Sequence, residues 1–128
     1  MVIRPLNLIL LPDTFAICRL APDAAIPTWA TAGSFFSVTR TLDELSVVCL
    51  QSLVPEKVRC ESGWRCLRVA GAMDFSQVGV LASLVGPLAD AGISIFAIST
   101  FDTDYLLVKQ ADFEEVTAVL RQAGHTIQ

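Results

Sequence analysis

Four polar side chains fall within six residues near the middle of the carboxy-terminal half: Ser99, Thr100, Asp102 and Asp104, in the run Ser99-Thr100-Phe101-Asp102-Thr103-Asp104. Two carboxylates and two hydroxyls so close together suit recognition of a cationic group. A carboxylate pairs with an ammonium or a basic side chain through charge-assisted hydrogen bonds, and the hydroxyls add neutral ones. Covalent catalysis fits poorly, because a nucleophile needs a positioned base. The only histidine, His125, lies three residues before the last residue given and is expected to be an exposed tail residue. Paired-carboxylate hydrolysis requires the two acids to flank a bond from two sides, and Asp102 and Asp104 share one short turn. Binding is therefore expected, with no enzymatic activity. The competing reading is that both aspartates merely shape the turn through their own backbone.

The elements that must position this cluster follow from the apolar pattern. Ile93 to Ile98 and Tyr105 to Val108 are apolar runs on either side of it and read as a β-hairpin. Ahead of them, Val80, Leu81, Leu84, Val85 and Leu88 recur at helical spacing, with Ser76 as the expected N-cap and Pro87 as the expected site of a kink or early end. The start of that helix, at Gly79-Val80, offers unpaired N–H groups and a positive dipole end to an anion. Gly79 would let a ligand approach the backbone closely; the alternative is a packing glycine.

Behind the hairpin, Asp112 and Glu115 form an expected capping box. Phe113, Val116, Val119, Leu120 and Ala123 give a buried helical face, and Gly124 closes it. His125 to Gln128 adds a last short strand. From Trp64 onward the order is β-α-β-β-α-β, the ferredoxin-like unit. After a short strand at Leu6–Leu11, Thr14 to Glu61 repeats the order with both helices reduced: strands at Thr14–Leu20, Ser34–Arg40, Leu45–Gln51 and Val58–Glu61, one helical turn near Thr28–Ala32, and then a turn at Ser62-Gly63. The expected fold is α+β, two ferredoxin-like units at residues 1–62 and 63–128, related by internal duplication. Thr39, Arg40, Thr41, Asp43 and Glu44 form a solvated turn in the first unit, with Thr39 as an alternative pocket residue.

Composition narrows the class. The chain has 128 residues, is 53% hydrophobic and carries a net charge of −4, with a pI near 4.7 and a mean hydropathy of +0.58. So much apolar surface on one or two small cores predicts that it is covered, by a homodimer or by two subdomains packed tightly together. No Lys/Arg cluster is present to neutralise phosphates, so nucleic acid is not an expected partner. Val78 to Ser99 has the length of a membrane span, but Gly86-Pro87 and Asp90 break it; no membrane partner and a cytoplasmic location are expected. Cys18, Cys49, Cys60 and Cys66 lack C-x-x-C spacing and read as free thiols, with a Cys60–Cys66 disulfide as the alternative. Neither metal nor cofactor is expected, since zinc takes about four ligands.

Several runs carry a resemblance: Ser34 to Thr41 with Asp43 to Val48, Gly63 to Val69, Asp74-Phe75-Ser76 with Val78 to Ala82, and above all Gly92 to Phe96 with Ile98 to Val108. Together they resemble the tandem ACT-domain proteins of bacteria, which are similar to the ACT units of CASTOR-type cytosolic arginine sensors. The resemblance covers residues 14–123. It implies a regulatory module that binds an amino acid at a unit or subunit interface, and by position it puts Asp74, Gly79, Val80, Ser99, Thr100, Asp102 and Asp104 near the pocket. Asp74 otherwise reads as a loop residue. The animal sensors have four units and this chain has two, so a full set of pockets implies a dimer; their preference for arginine does not carry over. A ligand-free dimerisation module is the alternative.

Overall fold

The amino-terminal apolar run does not stop at Pro12. The computed structural model describes residues 5–70 and 79–128, and in it β1 is one strand, Asn7–Leu20, where two were expected. Proline removes a ladder donor, but only if that donor faces a partner. The Leu10 amide donates to the Gln128 carbonyl at 2.9 Å, so by alternation the Pro12 nitrogen points the same way, two residues beyond that contact. The antiparallel partner of the strand's second half starts only at Phe15, opposite Leu50. Pro12 falls in the gap. Similarly, β4 runs unbroken over Cys60–Val69, through the Ser62-Gly63 pair expected to turn the chain. Gly63 takes φ +80, and its amide donates to Gln51 Oε1 at 2.6 Å.

Both long strands serve two compact units: Asp13–Trp64, and the described parts of Met1–Pro12 with Arg65–Gln128. Contacts make this division, not a single cut along the chain.

In the Asp13–Trp64 unit, β2 (Ser37–Arg40) and β3 (Leu45–Leu50) form a hairpin, and the strand order is β2-β3-β1-β4. Where helices would stand there are 3-10 turns, Thr28–Thr31 and Gln51–Leu53, so the reduced helices are as expected. Alternation sends Ala16 and Cys18 of β1 and Leu45, Val47 and Cys49 of β3 into one core with Ala30. Phe15 packs edge-on to Phe35, with ring centroids 5.5 Å apart.

The other unit follows the end of β4 with α1 (Val80–Asp90), β5 (Ile95–Ser99), β6 (Asp104–Lys109), α2 (Phe113–Gln122) and β7 (Thr126–Ile127). The order of elements is the expected βαββαβ. The strand order has one addition: the first half of β1 lies between β4 and β7. β7 pairs in parallel with Asn7 and Leu8, and the Ala70 amide donates to the Asn7 carbonyl at 2.8 Å. The core comprises Leu8, Leu67, Val69, Leu84, Leu88, Ile93, Leu106, Val108, Val116 and Leu120. Each such side chain, fully buried, contributes about 1.5–3 kcal/mol of transfer free energy.

Three expectations about the helices change. α1 continues through Pro87 because the carbonyl that Pro87 orphans, that of Ser83, receives the His125 Nε2–H at 3.1 Å. His125 is accordingly buried, 2% exposed, and not an exposed tail residue. The capping box of α2 is not formed. Asp112 ends the 3-10 turn Gln110–Asp112 with helical backbone angles and makes no side-chain cap bond, whereas an N-cap carboxylate works from an extended backbone. Gly124 does close α2: at φ +99, its amide reaches Arg121 and that of His125 reaches Leu120, both at 3.0 Å, the paired bonds of a Schellman turn. Ser76 lies outside the described residues; the residue before the first helical one is Gly79. No described helix is long and apolar enough to cross a membrane.

Candidate ligand site

The β5–β6 hairpin closes on Ser99 opposite Asp104. Its turn is built by Thr100, whose amide and hydroxyl both donate to the Thr103 carbonyl, at 2.8 and 3.0 Å, while its oxygen accepts the Thr103 amide at 3.3 Å. The β2–β3 turn uses the same bonds. Thr41 donates to the Glu44 carbonyl from amide and hydroxyl, at 2.9 and 3.3 Å, and accepts the Glu44 amide at 3.1 Å. A threonine that bonds its own turn explains why Thr-x-Asp-x suits both places. The second residue of each turn is a large apolar side chain in solvent, Leu42 at 96% and Phe101 at 80% exposure.

The residue that follows differs. Leu45 opens β3 opposite Arg40, wholly buried. Asp104 opens β6 at the same position of the repeat and is 8% exposed. It lies on the strand face that also carries buried Leu106 and Val108. Among the described residues, nothing hydrogen-bonds or ion-pairs with its carboxylate. Its oxygens are not among the described polar atoms that are both sealed from solvent and unpartnered, and leucine stands at the corresponding place in the other unit.

Neighbouring polar groups are disposed differently. Thr103, which the sequence did not single out as a site residue, is buried, and its hydroxyl donates to the Val69 carbonyl at 2.8 Å, fastening the turn to the end of β4. Ser99, Thr100 and Asp102 are exposed. The Thr100 proton is committed to its own turn, so toward a ligand this hydroxyl has only acceptor capacity left.

Gly79 and Val80 lie at the same end of this unit's sheet. β4 ends at Val69, β5 starts at Ile95 after α1 and returns to Ser99, and Ser99 pairs with Asp104. α1 therefore begins at the hairpin-turn end and runs away from it. Gly79 adopts φ +83, and a side chain there would meet nothing within 4 Å. Its glycine character answers the left-handed backbone, not crowding. With Gly79 in front and the first helical bond running from the Ser83 amide to the Gly79 carbonyl at 2.9 Å, the amides of Val80, Leu81 and Ala82 are without intrahelical partners. Of the residues expected around a pocket, Gly79, Val80, Ser99, Thr100, Asp102 and Asp104 thus share one end of the sheet, and Asp74 lies outside the described residues. Arg65 is not among them: its Nη2 donates to the Leu11 carbonyl at 3.3 Å, and its guanidinium stacks over Phe113 at 5.6 Å, at the start of α2.

A βαββαβ unit of mixed α+β type is the frame of a regulatory ligand-binding module of the ACT kind. The chain belongs to the ACT domain family: the model described as ACT domain matches residues 59–122, and an N-terminal-domain model matches residues 13–57. It is similar to a crystallised protein, Atu0741 from Agobacterium tumefaciens, with 42% identity over 98% of this chain and 94% of that one and a TM-score of 0.94. It is also similar to the human cytosolic arginine sensor for mTORC1 subunit 1, 42% identical over 64 residues, which are 48% of this chain and 20% of that protein. The chain thus matches about a fifth of the length of that sensor. The regulatory subunit of aspartate kinase from Thermus thermophilus shares the fold, with a TM-score of 0.58 at 13% identity.

Proposed function

We propose that the chain binds a small amino-acid-like effector at the hairpin-turn end of the Arg65–Gln128 unit and acts without catalysis, as a cytoplasmic homodimer that relays occupancy to a partner. Asp104 carries this reading. A carboxylate stands, buried and without a described partner, where the matching position of the other unit holds leucine. An effector ammonium or basic side chain would satisfy it. The start of α1 at Gly79 and Val80 would hold the effector carboxylate. Ser99, Thr100 and Asp102 line the exposed side, and Asp74 completes the set by its place in the family's pattern. The shared turn chemistry at Thr41 and Thr100 supports descent of both units, residues 1–62 and 63–128 in the sequence reading, from one duplicated ACT unit. The relatives support the ligand class, since one is by name an arginine sensor.

Thermal unfolding against each of the twenty amino acids tests the proposal. A ligand that binds only the folded state stabilises it by about 2.7 kcal/mol at a hundredfold excess over its dissociation constant. A selective rise that disappears in Asp104→Asn supports the sensor. A well-folded dimer indifferent to every amino acid would point instead to a ligand-free dimerisation module.

A further inference from the structure

We propose that Cys18 and Cys60 form a redox-reactive dithiol in the Asp13–Trp64 unit, closing to a disulfide by exchange with a low-molecular-weight disulfide such as oxidised glutathione.

The strand register carries the inference. The Arg19 amide donates to the Arg59 carbonyl at 3.0 Å, which sets these two residues directly opposite each other where β1 and β4 run side by side. The next pair along is Cys18 opposite Cys60, a non-hydrogen-bonded antiparallel pair with Cα atoms about 4.5 Å apart. Both side chains stand on the same face, and a disulfide needs Cα atoms roughly 4.4–6.8 Å apart. Proximity agrees with register, since Cys49 and Cys60 both act on the Cys18 thiol as neighbours. Cys49 is buried opposite Ala16, diagonal to Cys18. The sequence alternative, Cys60 with Cys66, fails on distance: six residues of one extended strand span about 20 Å. Among the described residues, no grouping of His, Cys, Asp and Glu suits a metal ion, which leaves thiol chemistry for this cluster.

The two thiols are unequal in the way stepwise exchange requires. Cys60 is exposed and Cys18 is buried. Burial first, then the neighbouring Cys49 and Cys60, push the Cys18 thiol up to about 12, so in the reduced protein Cys18 keeps its proton. Exchange therefore starts at Cys60. After losing its proton to water, Cys60 attacks one sulfur of the small disulfide, forms a mixed disulfide and expels one small thiolate. Cys18 then gives up its proton and, as the thiolate, attacks the Cys60 sulfur of the mixed disulfide, and the second small thiolate leaves and takes up that proton. Two protein thiols become one disulfide, and one small disulfide becomes two small thiols. The new bond staples the loop that holds β2, β3 and both 3-10 turns.

Trypsin places the four cysteines on separate peptides, Met1–Arg19, Thr41–Lys57, Cys60–Arg65 and Cys66–Arg68, because the Arg4–Pro5 bond resists cleavage. The native protein is equilibrated across a series of reduced-to-oxidised glutathione ratios, alkylated, digested without reduction and mapped by mass. The expected product joins Met1–Arg19 to Cys60–Arg65, increases with the oxidised fraction and is reversed by reductant. It disappears in Cys60→Ser, an exposed change that the fold accommodates, and persists in Cys49→Ser and Cys66→Ser. Joining of Cys18 to Cys49, a Cys60–glutathione adduct that never closes, or full alkylation at every ratio would each overturn the proposal.

Discussion

His125 supplies to Ser83 the hydrogen bond that the helix itself cannot: its Nε2–H donates to the Ser83 carbonyl at 3.1 Å, the acceptor that an ordinary residue at position 87 would have used. The other ring nitrogen, Nδ1, accepts the Leu6 amide at 3.0 Å. One neutral imidazole thus ties α1, β7 and the entry to β1, and the Schellman turn at Gly124 aims it. His125→Ala leaves two part-buried backbone groups without these bonds and should cost about 1–3 kcal/mol in urea unfolding. In Pro87→Ala, the residue-87 amide returns to claim Ser83, so the histidine change should cost about 1 kcal/mol less in that background. Additive costs would break the link between the two residues.

Asp104→Leu copies Leu45 into the second unit. Without effector, this variant should be at least as stable as the parent, because an apolar side chain replaces a polar one at a position 8% exposed. Under the proposed function it should also lose every amino-acid-dependent shift in melting temperature. A destabilised variant would mean that the carboxylate is already satisfied in the free protein.

Thr103→Val keeps the shape of the side chain and deletes the bond to the Val69 carbonyl. The expected loss is about 1–2 kcal/mol, together with faster amide exchange in the turn at Thr100 and Thr103. Thr103→Ser should recover most of both. An unchanged exchange rate in the valine variant would show that this bond does not hold the turn.

Alkaline stability reports the buried thiols. Burial pushes the Cys66 thiol from 9.0 to about 12. Below pH 9 the folded and unfolded chains both keep this proton, and its contribution is fully present. Between about 9 and 12 only the unfolded chain sheds it, so stability falls as pH rises through that window. Cys18 acts in the same direction. Urea midpoints from pH 8 to the alkaline limit should therefore decline less steeply in Cys66→Ala than in the parent, whatever the offset between the two curves. Parallel curves would exclude the linkage.

Much of the architecture was legible because it is local. Thr100 and Thr41 close turns with their own hydroxyls, so both hairpins stood out as polar quartets between apolar runs. Gly124 ends α2 where a left-handed residue is needed, and the helical turn expected near Thr28–Ala32 is the 3-10 turn Thr28–Thr31. The misread points share a cause. Pro12 and Ser62-Gly63 are breakers by type, yet a missing donor matters only if a partner faces it, and Gly63 finds one in Gln51. Asp112 and Glu115 have the spacing of a capping box, but the 3-10 turn ahead of α2 deprives Asp112 of the extended backbone a cap requires.

The sequence by itself determined the order of elements from α1 onward, the two turns and the candidate carboxylates, since propensity and alternation act over a few residues. Only the tertiary structure decided that the first half of β1 enters the carboxy-terminal unit between β4 and β7. Nor could local pattern tell that His125 is buried against Ser83, that Cys18 faces Cys60, or that Asp104 is the more buried of the two aspartates. Each of these depends on which strand or helix lies opposite, and that is settled by the register and packing of segments many tens of residues apart.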